Sequence, residues 1–338
     1  MFMTTVRKSL ALGFAAVLTA GLVAGCGGSS NPSADSGGGA QKQYKVGIVQ
    51  LVEHSALDAA NEGFVDGLKK RGFEEGKNLT IDRQNAQADQ SNLQNIGQRF
   101  LSNKVDLIYA IATPAAQTMA SLTKDIPIVG SAITDYVGAN LAASNEAPKG
   151  NVTGTSDMSP IKEQIDLLQK LYPDAKTIGT IYCSSEVNSE LQVKAMKDYA
   201  ESKGLQVETA TISTVNDIQQ AAQSLVSKVD VFYEPTDNVI SSALPTLLGV
   251  TTPAKKGIIC GEPHQVTAGA LITYGIDYYK LGMQSGDMAA DILEGKAKPA
   301  AMPIQTAKEL RTFINKKTAA ALGLTIPEAI AKDAEMVD

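Results

Sequence analysis

The stretch Lys45-Val46-Gly47-Ile48-Val49-Gln50-Leu51, followed by a helix-periodic run at 57–71 and then by Leu79-Thr80-Ile81-Asp82-Arg83-Gln84, decides the fold class. A short, almost wholly apolar run reads as a strand covered on both faces, and the helical segment after it supplies one of the covers. The alternation continues along the chain. Strands are expected at 105–110, 126–130 and 152–155, with helices at 90–102, 115–123 and 161–171. A second series has strands at 177–182, 206–211, 229–233 and 257–260, separated by helices such as 188–203 and 214–227. Two consecutive series of this kind predict an α/β protein of two doubly wound parallel-sheet lobes.

The chain is expected to cross between the lobes three times. The first crossing falls near 156–160, where Asn151-Val152-Thr153-Gly154-Thr155 runs extended toward Pro160. The second falls near 270–277, between a strand at 271–276 and a long amphipathic helix at 278–293 that stops at Glu294-Gly295. The third is placed after Pro303. These crossings give an N-terminal lobe of 44–156 plus about 277–303 and a C-terminal lobe of 157–276 plus about 304–338, joined by a multi-strand hinge. Hinged lobes close around ligands.

Ahead of this body, Arg7 and Lys8 precede an apolar run at 10–23, the pattern of a secretory signal spanning 1–25. The run is short for a membrane span. Val23-Ala24-Gly25 leads into Cys26, which is similar to the lipobox that marks a cysteine for diacylglycerol attachment. Residues 26–43, rich in Gly and Ser, then read as a flexible tether. The protein is accordingly expected outside the cytoplasm, anchored to a bacterial membrane through lipidated Cys26. An ordinary cleaved signal, with Cys26 incidental, is the alternative.

Composition excludes several functions. With 30 basic and 36 acidic residues the chain carries −6, and no basic patch stands out, so nucleic acid is not an expected partner. No DNA-binding helix-turn-helix and no solenoid repeat is found. Besides Cys26 there are Cys183 and Cys260, read as two buried free thiols in preference to a disulfide, and His54 and His264 are too isolated to suggest zinc. G-x-S-x-G, G-x-x-x-x-G-K-[ST] and H-E-x-x-H motifs are missing, and Glu53 beside His54 is too weak a pair to carry a reaction. No enzyme, cofactor or metal is expected.

Several separated segments resemble one family, the ABC-transporter substrate-binding lipoproteins of the tryptophan/tyrosine type. They are Gln50-Leu51-Val52-Glu53-His54-Ser55-Ala56-Leu57-Asp58, Ala112-Thr113-Pro114-Ala115-Ala116-Gln117, Thr134-Asp135-Tyr136-Val137-Gly138-Ala139 and Asn151-Val152-Thr153-Gly154-Thr155-Ser156-Asp157. Later in the chain come Ser185-Glu186-Val187-Asn188-Ser189, Pro235-Thr236-Asp237-Asn238 and Thr273-Tyr274-Gly275-Ile276-Asp277-Tyr278-Tyr279. The resemblance implies a type I periplasmic-binding-protein-like fold, capture of a small solute in the interlobe cleft, and delivery to an ABC permease with its ATPase. It implies an aromatic amino acid as ligand, ahead of a branched-chain amino acid or another small solute. A receptor serving a signalling partner is the alternative role. Tyr136 departs from the family's usual proline, which touches only the local turn.

The quoted polar segments sit at the carboxyl ends of the expected strands, where open α/β sheets bind ligands. Glu53 and His54 follow the first strand, Thr113 and Pro114 the third, and Thr134 and Asp135 the fourth. Glu186, Asn188 and Ser189 follow the first strand of the second series, and Thr236, Asp237 and Asn238 its third. The hydroxyl of Thr113, with Pro114 and the first-turn amides of Ala115 and Ala116, is expected to hold a ligand carboxylate, aided by Asn188 or Ser189. Asp237 is the first choice for an ammonium, with Asp135 and Glu53 behind it. His54 is a candidate for stacking or hydrogen bonding, and Tyr274 and Asp277 lie at a crossing where tyrosines could line an aromatic pocket.

Overall fold

The structure is a computed structural model, and it describes residues 42–338. The signal, Cys26 and nearly all of the tether expected from the sequence lie outside the described residues. Residues 42–338 begin with β1 (Tyr44–Gln50), α1 (Ser55–Lys70), β2 (Leu79–Asn85), α2 (Gln90–Asn103), β3 (Leu107–Ile111), α3 (Thr113–Leu122), β4 (Ile128–Ile133) and β5 (Val152–Ser156). The chain then crosses into α4 (Ile161–Leu171), β6 (Thr177–Cys183), α5 (Val187–Ser202), β7 (Gln206–Ile212), α6 (Ile218–Leu225), β8 (Val231–Glu234), α7 (Asn238–Ser242), α8 (Leu244–Thr251), β9 (Ile258–Cys260), α9 (Pro263–Thr267) and β10 (Ile272–Ile276). It ends with α10 (Tyr278–Leu293), β11 (Gln305–Thr306), β12 (Leu310–Asn315), α11 (Lys316–Leu322), α12 (Glu328–Ala331) and β13 (Glu335–Val337).

Two sheets form. One has the order β11-β5-β4-β3-β1-β2 and the other β13-β12-β10-β9-β8-β6-β7. All pairings are parallel except β10 with β12, which runs antiparallel from Ile272 opposite Ile314 to Ile276 opposite Leu310. The expected parallel sheets therefore hold, with two reversed strands, β12 and β13, at one edge of the second. Strands β1, β3 and β4 are buried nearly throughout because helices cover both faces. After Pro303, Gln305 and Thr306 still pair with Thr155 and Ser156 of the first sheet, which moves the lobe boundary placed at about 304. The chain thus returns to the second lobe beyond Thr306, a few residues later than Pro303, because the extended segment after the proline closes the sheet edge before leaving it.

Helix α10 belongs to the first lobe because Tyr278, Leu281, Ala289, Ala290 and Leu293 join the core built by Val46, Leu57, Phe64 and Tyr109. It lies against α1 at backbone contact. A Cβ on Gly63 would sit 2.1 Å from the Tyr279 carbonyl oxygen, and one on Gly282 would sit 2.1 Å from that of Ala60. Beneath this crossing the rings of Phe64 and Tyr109 stack with centroids 3.7 Å apart. The second sheet separates two apolar clusters, one around Ile165, Leu168 and Ile272 and the other around Ile181, Phe232 and Ile258. Cys183 and Cys260 are buried free thiols within it.

Candidate functional site

The carboxyl ends of the strands carry a group of buried polar side chains that face one another across the two lobes. In the first lobe His54 is the N-cap of α1 but makes no side-chain cap bond. Its Nε2 lies 3.2 Å from Oδ1 of Asn238 in the second lobe. Burial holds the imidazole pKa below its usual value, against opposing effects of Glu262, Asn238 and Asp58. A neutral ring donating from Nε2 to the amide oxygen fits this contact. Glu53 beside it is exposed and stays outside the group.

After β3, Ala112 is held at φ 85 and ψ 152, a region that residues other than glycine reach at a cost of about 1–3 kcal/mol. This bend starts α3 with Pro114 in its first turn. The Thr113 hydroxyl is buried and has no hydrogen-bond partner. The Ala116 amide is not free as expected, since it donates to the Ala112 carbonyl at 3.1 Å. Free donors at this end are confined to the first residues of the helix, as helix geometry requires.

After β4, Asp135 is taken up by its own turn, where Oδ1 accepts from the amides of Val137 and Gly138 at 3.0 Å each. Thr134 does reach across the cleft. Its hydroxyl accepts from Gln192 Nε2 at 3.1 Å and donates to Asp157 Oδ1 at 3.4 Å.

In the second lobe Glu186 is an organising group. Oε2 accepts from the side chain of Asn188 at 3.0 Å and from the amide of Asn238 at 3.1 Å, while Oε1 accepts from the amide of Val239 at 3.0 Å. Asn238 Nδ2 also donates to Oε2, which fixes the side chain that meets His54. Burial, then the neighbouring charge of Asp237, pushes the Glu186 carboxyl up to about 8. Asp237, the expected ammonium partner, is fully buried, with Oδ2 accepting from the Cys183 amide at 2.7 Å and Oδ1 from the Ile240 amide at 2.9 Å. These bonds cap α7 and tie it to the end of β6, so its oxygens are committed to backbone amides. Ser189 is buried beside it, and Thr236 presents its hydroxyl to Gln192.

Three groups unassigned in the sequence, together with one tyrosine of the crossing stretch, complete the cluster. Glu262, after β9, caps α9 through the His264 amide at 2.6 Å and lies 3.2 Å from His264 Nδ1. Asp157, at the first crossing, accepts from the Tyr278 hydroxyl at 2.6 Å. Gln192 lies one helical turn beyond Asn188 on the same face of α5. Tyr278 is the tyrosine of its stretch that joins the group. Tyr274 instead packs on the apolar cluster of the second lobe, and Asp277 caps α10 by accepting from the Lys280 amide at 3.0 Å.

Asp157, Glu186, Glu234, Asp237 and Glu262 are each at most 3% exposed. Among the described residues none of the five is within salt-bridge reach of a lysine or arginine, and the basic side chain beside Glu262 is His264, with Nδ1 at 3.2 Å. Neither carboxyl oxygen of Glu234 has a partner, and burial, then the charges of Asp237 and Glu186, drive its pKa far up. Asp157 is pushed up to about 6, chiefly by burial, with the Tyr278 and Thr134 hydroxyls acting in the opposite direction. A carboxyl raised in the folded state favours folding in its protonated form. Its contribution is present below the ordinary value near 3.8 and is lost as pH rises through about 6. Asp157→Asn is therefore expected to match the unmodified protein in stability near pH 4 and to exceed it by about 2–3 kcal/mol near pH 7. Urea denaturation of both proteins across this range measures the gap.

Comparison with known proteins gives a consistent result. The sequence profile of the family described as ABC transporter substrate binding protein matches residues 45–338. A tyrosine-binding protein of Clostridioides difficile is 44% identical over 321 residues, covering 94% of this chain and 93% of that protein. The crystal structure of a Streptococcus pneumonia ABC domain in complex with L-Trp is 41% identical, with a TM-score of 0.85 over 88% of this chain and all (100%) of that one. A ligand-free, open structure of a Clostridium difficile substrate-binding protein with adhesive properties is 44% identical, with a TM-score of 0.67 over 87% of this chain and 99% of that one. The TM-score is higher against the L-Trp complex than against the ligand-free, open structure.

Proposed function

Because this chain belongs to the family of ABC transporter substrate-binding proteins, we propose that its interlobe cleft captures an aromatic amino acid, tyrosine or tryptophan, for delivery to a membrane permease and its ATPase. Proteins of this family are receptors and not enzymes, and they work outside the cytoplasm. The lipobox-like cysteine, Cys26, supports a tether that keeps the body near its permease.

The observation that carries the reading is the unmatched chemistry of the cleft. Carboxyl groups gather on the second lobe without a lysine or arginine, which favours a ligand cation there. The start of α3 on the first lobe offers the unpartnered Thr113 hydroxyl and first-turn amides at the positive end of a helix dipole. An α-amino acid bridges the two with its ammonium and carboxylate. Glu262 is the ammonium partner in this reading, with Asp157 beside it, because Asp237 is committed to amides and Glu53 faces solvent. The aromatic side chain follows from the tyrosine-binding relative and the L-Trp complex.

Calorimetric titration with L-tyrosine and L-tryptophan, alongside their N-acetyl and methyl-ester derivatives, tests this directly. The parent amino acids are expected to bind, and blocking either end to cost about 100-fold or more, the effect of losing one buried charged hydrogen-bonding partner. N-acetyl derivatives that bound as tightly as the parents would exclude the ammonium site. Failure of both parents to bind would exclude the ligand class.

A further inference from the structure

The side chains between the lobes include a continuous hydrogen-bonded chain that ends at the hinge. It begins at Thr236 after β8, whose hydroxyl accepts from Gln192 Nε2 at 2.6 Å. The same Nε2 reaches Thr134 Oγ1 on the first lobe at 3.1 Å. Thr134 donates its hydroxyl hydrogen bond to Asp157 on the first crossing, and Asp157 accepts from Tyr278 where the second crossing enters α10. All five residues are at most 8% exposed.

Gln192 Nε2 has no donor capacity left for a ligand, and the single Thr134 hydroxyl hydrogen is used on Asp157. The Gln192 amide uses Nε2 on Thr134, Thr236 and the Asn188 carbonyl, and Oε1 accepts from the Thr236 amide at 3.2 Å. An amide has two donors, and both are occupied. The Thr134 hydroxyl donates once and accepts from Gln192. Every bond in the chain joins protein atoms, so it requires the lobes to be together but needs no ligand atom.

We propose that Thr236, Gln192, Thr134, Asp157 and Tyr278 form a ligand-independent latch, in which Gln192 and Thr134 act as positioning residues that set the balance between open and closed lobes. A receptor whose binding-competent form is only partly populated shows an affinity reduced by that fraction. The latch therefore scales the affinity for every ligand by one common factor and leaves selectivity to the residues that touch the ligand. The choice of tyrosine and tryptophan as probes rests on the function proposed above, whereas the lobe balance can be read without any ligand.

The test compares the full chain with Thr134→Val, which keeps the shape of the side chain and removes the hydroxyl, with Thr134→Ser, which keeps the hydroxyl, and with Gln192→Met. Small-angle X-ray scattering of the ligand-free proteins is expected to show a larger radius of gyration for Thr134→Val and Gln192→Met than for the unmodified protein, with Thr134→Ser restored. Titration is expected to show affinities for tyrosine and tryptophan falling about tenfold by the same factor, carried by faster dissociation. A radius of gyration unchanged in both latch variants would overturn the proposal, and so would an affinity loss that differed severalfold between the two ligands. If the unmodified protein bound neither amino acid, the ligand assignment would fall, and the scattering comparison would still decide the latch.

Discussion

Glu262→Gln is expected to weaken binding of tyrosine and tryptophan by about 100-fold or more while leaving the fold in place. Removing one member of a buried charge pair costs about 2–5 kcal/mol, much of it the penalty of leaving the other charge buried without a partner. Glu262 is 2% exposed and has no lysine or arginine beside it, so a bound ammonium would meet a carboxylate held in a medium that screens it poorly. Glutamine retains an oxygen able to accept from the His264 amide and so keeps the cap of α9. The substitution also reports on itself. His264 has its pKa raised by the hydrogen bond and charge of Glu262, against the effect of its own burial, so its titration followed by NMR should move down in the variant. Calorimetry showing affinity within threefold of the unmodified protein, together with that downward movement, would remove Glu262 from the site.

The second large effect is on stability. Gly282→Ala places a methyl group 2.1 Å from the Ala60 carbonyl oxygen and 3.0 Å from its Cα, both backbone atoms of the facing helix. No side chain can rotate away to relieve this contact, so α1 and α10 must move apart and loosen the core they share. Overpacking of this kind costs about 1–3 kcal/mol and occasionally more, and a contact between two backbones belongs at the upper end. A fall in Tm of about 5 °C by scanning calorimetry is expected. Gly249→Ala in α8 is the control, since its Cβ meets nothing within 4 Å, and alanine there is expected to be neutral or stabilising by up to about 1 kcal/mol. Equal Tm values for Gly282→Ala and the unmodified protein would contradict the close approach of the two helices.

The lobes were legible because buried parallel strands leave an apolar signature that survives without tertiary knowledge. The helix expected at 161–171 is α4, and that expected at 278–293 is α10. What the pattern could not supply was the strand Gln305–Thr306, too short to mark itself, which keeps the chain on the first sheet a few residues past Pro303. The site was legible to the level of loops. Thr113, Thr134, Glu186, Asn188, Thr236 and Asn238 follow strand ends and are buried there, as that rule anticipates.

Roles within those loops were not legible, because they depend on which lone pairs the backbone already uses. Asp237 and Asp135 look like free carboxylates in a sequence, yet each accepts from two amides. Glu262 obeyed the same strand-end rule after β9, a strand expected at 257–260, and was passed over because none of the segments that carry the family resemblance includes it. Gln192 carried a helical-spacing signal, four residues after Asn188, but its partner Thr134 lies on the other lobe and no local pattern connects them.

A thermal-shift screen of the purified chain against the twenty amino acids, with sugars and nucleosides as controls, tests the central claim most directly. Tyrosine and tryptophan at about 100 times their dissociation constants should each add about 2.7 kcal/mol of apparent stability, with the aliphatic amino acids, sugars and nucleosides leaving Tm unchanged. Stabilisation by a sugar or nucleoside, with no response to any aromatic amino acid, would contradict the account.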